Sequence, residues 1–214
     1  MQQTLNNIAN CLLKYDKQVP RYTSYPTVPY WDDSPSVEQW IAALKAALAE
    51  SERIGRGAAM YIHIPFCEMK CSFCDLFTAT HQPKDVINRY VLGVIKEISI
   101  MENYLQRENI SIQSVYFGGG TPSLLEEPQL KDILNKLRST FNITEQAELS
   151  IEGAPNSFTQ EKFALLKSLG FNRVSMGIQT FDDIELKAMG RFYDASLGYD
   201  MAKIATASGI PNVN

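Results

Sequence analysis

The segment HIPFCEMKCSFCDLF, residues 63–77, constrains this chain more than any other. Cys67, Cys71 and Cys74, three of the four cysteines, stand in it with C-x3-C-x2-C spacing, directly after the strand-like run AMYIHI at 59–64. Three thiolates so spaced can hold three irons of a cubane [4Fe–4S] cluster. The fourth iron is then left without a protein ligand, open to a small molecule that chelates through an amine and a carboxylate. Two other readings compete. A structural zinc site needs a fourth ligand; His63 is near in sequence, but it lies on the strand and the loop has no second cysteine pair. The other is that these are inert buried thiols. Cys11, beside Leu12 and near Ile8, reads as a small core residue rather than a ligand.

The setting of the cysteines favours a metal or redox site over disulfides. Four is an even number, yet three are clustered, and residues 1–20 lack the charged start and apolar core of an export signal. No apolar run approaches the ~18 residues needed to span a bilayer. A cytoplasmic protein with no membrane span is therefore expected. The net charge of −4 and the absence of a basic stripe with interleaved aromatics argue against a nucleic-acid partner.

Hydrophobic periodicity divides the chain into an N-terminal extension, 1–56, and a core, 57–214. The extension holds VPRYTSYPTVPYWDDSP, whose prolines favour extended backbone, then a helix over 36–50 capped by Ser34 or Ser36. Its aromatic side chains, Tyr22, Tyr25, Tyr30 and Trp31, and Arg21 suit either a flat, carboxylate-bearing ligand or an anchoring role. In the core, strands are expected at 59–64, 114–118, 147–152, 172–179 and from 210. Helices are expected at 85–105, 128–141, 160–169, 182–189 and 195–208. This alternation predicts an α/β fold with a parallel sheet, either an open doubly wound sheet or part of a (β/α) barrel.

Candidate ligand-binding residues fall at the C-terminal ends of these strands, where parallel α/β folds build their sites. FGGGTP, residues 117–122, follows the second strand. Its glycines permit close backbone approach and could leave N–H groups free for an anion, the alternative being a plain tight turn. Glu152 ends the third strand and Gln179 the fourth; each suits hydroxyls and an amine, or else caps the helix that follows. Arg191 suits a carboxylate, or is an exposed residue at a helix end.

Together, YIHIPFCxxxCxFC, YFGGGTPS, LSIEGAP and GFNRVSMGIQTF resemble the radical S-adenosylmethionine (SAM) family of oxygen-independent coproporphyrinogen III oxidases, haem chaperones and related methyltransferases. PRYTSYPT at 20–27 is similar to the N-terminal extension of the oxidases. The resemblance implies a partial, truncated TIM-like barrel, with Cys67, Cys71 and Cys74 as cluster ligands. It implies SAM contacts from Tyr61, Phe73, Gly119, Gly120, Thr121, Glu152, Gln179 and Arg191. It also implies a tetrapyrrole substrate or ligand, a small electron-transfer protein as reductant, and chemistry through a 5′-deoxyadenosyl radical. One departure is Leu76, where the oxidases carry a further cysteine; CDLF is closer to the chaperone-like branch. Another is that IPNVN stops where the family continues, which predicts an incomplete barrel with an exposed edge.

Overall fold

In β1, β6 and the latter halves of β4 and β5, apolar side chains take alternate positions, and this alternation organises the molecule. The computed structural model describes residues 13–14, 28–32, 35–106 and 110–214, in two compact units, 1–40 and 41–214. The expectations for Cys11, Arg21, Tyr22, Tyr25 and Ser34 lie outside the described residues. In the first unit, Val28–Tyr30 form a 3-10 turn, and Tyr30 and Trp31 are exposed. Helix α1, Val37–Arg53, begins there; Ser36 caps it, its Oγ accepting from the Gln39 N–H at 3.4 Å while Gln39 Oε1 accepts from the Ser36 N–H at 2.9 Å.

The second unit alternates strand and helix: β1 (Ala58–Ile64), β2 (Phe66–Cys67), β3 (Ala79–Thr80), α2 (Lys84–Leu105), β4 (Ser111–Gly119), α3 (Glu127–Thr140), β5 (Asn142–Gly153), α4 (Gln160–Ser168), β6 (Arg173–Met176), α5 (Asp183–Ala188), α6 (Ala195–Ala207) and β7 (Asn212–Val213). The main sheet is parallel throughout, in the order β1-β4-β5-β6-β7. A doubly wound sheet reverses its order at a switch point. Here each strand is added beside its predecessor, as in a (β/α) barrel.

Ile62, Ile64, Val115, Phe117, Leu149, Ile151, Val174 and Met176 point to one side of the sheet. They share a continuous core with Val91 and Ile98 of α2, Leu130, Ile133, Leu134 and Leu137 of α3, Phe163 and Leu166 of α4, and Met201 and Ala205 of α6. The intervening positions, Tyr61, His63, Tyr116, Glu148, Ser150, Glu152, Arg173 and Ser175, face the other way and are mostly polar, as period-two geometry requires.

Three expectations need correction. The fourth strand is confined to Arg173–Met176. Beyond it the Ile178 N–H bonds back to the Met176 carbonyl (2.9 Å) and the Thr180 N–H to that of Ile178 (3.0 Å), turns that pull the chain out of the ladder. The third strand begins at Asn142 rather than 147, because the polar run NITEQ still pairs at Asn142 and Ile143 before a register break in β4 between Ile112 and Ser114. The small β2–β3 pair was not expected; it joins Phe66 to Ala79 and Cys67 to Thr80 across the cysteine loop.

Candidate functional site

The C-terminal ends of β2, β4, β5 and β6 converge on one cleft of about 450 Å³. Its lining includes Cys67, Cys71 and Cys74, Phe73, Gly119, Gly120 and Thr121, Glu152, Gln179 and Arg191, ten of the eleven candidates. Tyr61 is not among the lining residues; it is 56% exposed on the polar face of the sheet.

The cysteine loop is fastened at both ends and in its middle. β2 and β3 close its base, and the Ala79 N–H donates to the Pro65 carbonyl at 2.8 Å. Ser72 reaches the end of α5, through its N–H to Met189 O (3.2 Å) and its hydroxyl to Ala188 O (3.3 Å). Asn156, after β5, donates to Glu68 at 2.5 Å. The three thiols are free. Burial pushes the Cys67 thiol up, against a hydrogen bond from Thr121 Oγ1 at 3.3 Å that favours the thiolate.

The glycine run is not an open anion nest. The Gly119 N–H donates to Glu152 Oε2 (3.3 Å), that of Gly120 to Ile64 O (2.8 Å) and that of Thr121 to Phe66 O (2.8 Å). Its purpose in the fold is close approach. A Cβ on Gly120 would lie 2.7 Å from Phe66 O and 2.9 Å from Cys67 Sγ. Gly119 takes φ +116°, and a Cβ there would meet the His63 ring at 2.8 Å. The run therefore packs as a backbone wall against the cysteine-bearing strand.

Glu152 and Gln179 do not cap helices. Thr159 caps α4, accepting from the Lys162 N–H at 3.1 Å, and Asp182 caps α5, accepting from the N–H groups of Ile184 and Glu185. Both cleft side chains are thereby left to the site. Gln179 is held in the left-handed region, φ 75°, by the Thr180–Ile178 hydrogen bond, a γ-turn that non-glycine residues rarely adopt. Arg191 follows α5. Its guanidinium carbon stands 5.6 Å from the ring centres of both Phe73 and Tyr193, and its Nε is buried without a partner. Tyr193 in turn donates to the carbonyls of Gly177 and Ile178, each at 3.1 Å.

Residues beyond the sequence-based set also matter. Tyr116 donates to Glu152 Oε1 at 2.5 Å, and Tyr193 backs Arg191. Tyr116 opens the YFGGGTPS motif, but only strand register brings its hydroxyl beside Glu152.

The family model described as the radical SAM superfamily matches residues 61–214, and the chain belongs to that superfamily. Membership implies a [4Fe–4S] cluster and SAM, and with the sheet order it makes the fold a partial (β/α) barrel of the radical SAM type. Within the superfamily the chain is similar to the oxygen-independent coproporphyrinogen III oxidase of Pseudomonas aeruginosa, 33% identical over 193 residues, which is 89% of this chain and 41% of that protein. Its likeness to the Helicobacter pylori protein of the same name is 32% over 207 residues, 94% and 44% of the two chains. Coproporphyrinogen III oxidase (HemN) from Escherichia coli superposes with a TM-score of 0.76 at 28% identity, over 95% of this chain and 44% of that one. The cobalamin-dependent SAM radical enzyme OxsB, at 18% identity and a TM-score of 0.52, shares the fold alone. The chain thus spans about two fifths of the length of the curated relatives it matches.

Proposed function

We propose that this chain carries the radical SAM site of a coproporphyrinogen III oxidase-like enzyme, which oxidatively decarboxylates the propionates of a porphyrinogen. The observation that carries the reading is the convergence of three free cysteines, Glu152, Gln179 and Arg191 on one cleft at the strand ends. Relatives bearing the oxidase name support the substrate class.

The donor set fits the cluster. Among the described residues, no group of three Cys, His, Asp or Glu side chains is suited to enclosing a single metal ion. A cubane instead takes each thiolate on a different iron. The glycine at 120 lets the backbone wall lie directly against Cys67, where a side chain would displace the sulfur. Cys67, Cys71 and Cys74 would hold the cluster, whose chemistry when bound is one-electron reductive cleavage of SAM. Arg191, with a buried and unpartnered Nε, would receive the carboxylate of SAM. Glu152, accepting from Tyr116 and Gly119, keeps lone pairs for hydroxyls or an amine, and the Gln179 amide supplies both donor and acceptor. Phe73, Gly119, Gly120 and Thr121 would complete the SAM-contacting wall, with Tyr61 outside the cleft lining.

Anaerobic reconstitution, then incubation with SAM, a reductant and coproporphyrinogen III, tests this reading by product mass. Loss of carbon dioxide from propionates with vinyl formation is expected. SAM cleavage that leaves every tetrapyrrole intact would overturn the substrate assignment. Leu76, exposed on the cleft rim where the oxidases carry a cysteine, favours a second reading: a haem chaperone of the same superfamily. Tight haem binding without SAM turnover would select it.

A further inference from the structure

We propose that Tyr116 is a positioning residue: it fixes the Glu152 carboxylate and so governs how tightly the site holds SAM, although it does not line the cleft. The proposal rests on the reading that Glu152 accepts hydrogen bonds from SAM. Register places Tyr61, Tyr116, Ser150 and Arg173 side by side across β1, β4, β5 and β6, one pleat below Glu152. From there the Tyr116 hydroxyl reaches Glu152 Oε1 at 2.5 Å, while the Gly119 N–H engages Oε2 at 3.3 Å. Each carboxylate oxygen therefore has one donor supplied by the fold and capacity left over for a ligand.

The tyrosine is itself held in place. Its ring stacks on that of Tyr61, with centroids 6.0 Å apart and planes 19° from parallel. A Cβ on Gly118 would lie 2.8 Å from both rings, so the first glycine of the run is the space in which the pair lies. Burial, and after it the hydrogen bond to Glu152, push the phenol up to about 12, so it remains a donor throughout the neutral range. Without that hydroxyl, Glu152 Oε1 loses its fixed donor and the carboxylate gains rotational freedom that ligand binding must then remove.

The test is a double-mutant cycle on the anaerobically reconstituted protein, using Tyr116→Phe, Glu152→Ala and the pair. SAM affinity is measured by calorimetry, alongside iron content and thermal midpoint. Tyr116→Phe keeps the stacked ring. It should weaken SAM binding up to about tenfold, the scale of re-ordering one side chain on binding, with iron content unchanged. In the Glu152→Ala background the same substitution should have no further effect, because its action passes through Glu152. Unchanged affinity in Tyr116→Phe, or losses that simply add in the pair, would overturn the proposal. So would a loss that tracks a fall in iron content and midpoint, since the residue would then be structural. If Glu152→Ala alone binds SAM normally, the reading of Glu152 fails instead.

Discussion

A methyl group at position 120 would stand 2.9 Å from the Cys67 sulfur and 2.7 Å from the Phe66 carbonyl oxygen, so one of them has to move. Gly120→Ala should therefore lower iron incorporation on reconstitution, because it displaces a cysteine of the cleft; colorimetric iron and sulfide per chain checks this. Alanine at Cys67, Cys71 or Cys74 should abolish cluster assembly, whereas Cys11→Ala should retain it, by the same assay and by the EPR signal of the reduced protein. Tyr116 gives a pH prediction. Its folded pKa, about 12, lies above the unfolded value near 10, so its neutral form is favoured by folding. That stabilisation is complete below pH ~10 and is lost as pH rises toward ~12, the direction linkage requires. Burial also pushes the Tyr61, Tyr90 and Tyr193 phenols up, so a tyrosinate absorbance titration should show several late-titrating groups, one of which Tyr116→Phe removes. At this scale the cysteines, Glu152, Gln179 and Arg191 were legible in local motifs. The role of Tyr116 was not, since it comes from a partner 36 positions away. The free N–H groups expected of the glycine run were misread, because their acceptors, Ile64 O, Phe66 O and Glu152, belong to other strands.

The connection between β6 and α5 trades backbone comfort for placement. Gln179 sits at φ 75°, a conformation that costs a non-glycine residue roughly 1–3 kcal/mol and that glycine adopts freely. Glycine also loses more unfolded-state entropy on folding, which offsets part of the relief. Gln179→Gly should accordingly raise stability by about 1 kcal/mol in denaturant titration, and should weaken SAM binding measured in parallel. Helix α3 shows the opposite economy: Leu134 is fully buried against the sheet, and Leu134→Ala should lower unfolding stability by about 2–5 kcal/mol. Helix boundaries agreed closely with hydrophobic period and caps, as in α2 (84–105) and α4 (160–168). Strand boundaries did not, since β5 gains its first residues from pairing with β4 and β6 loses its last to successive turns. Pairing is a non-local property, and the two-residue β2–β3 ladder is too short to leave any periodic trace.

Across the whole molecule, the sheet order that separates a barrel from a doubly wound fold was not readable from alternating strands and helices, because both orders produce the same linear pattern. The two faces of that sheet have a consequence for how the protein tolerates change. Along β5, Leu149 and Ile151 are sealed in the core, while Glu148, Ser150 and Glu152 alternate with them on the opposite face. A saturating substitution scan read out separately for abundance and for ligand capture should thus separate the neighbours Ile151 and Glu152, the first losing abundance and the second ligand capture. Heritable variation in the amount of protein and in its chemistry can then arise from adjacent codons with little interference between them.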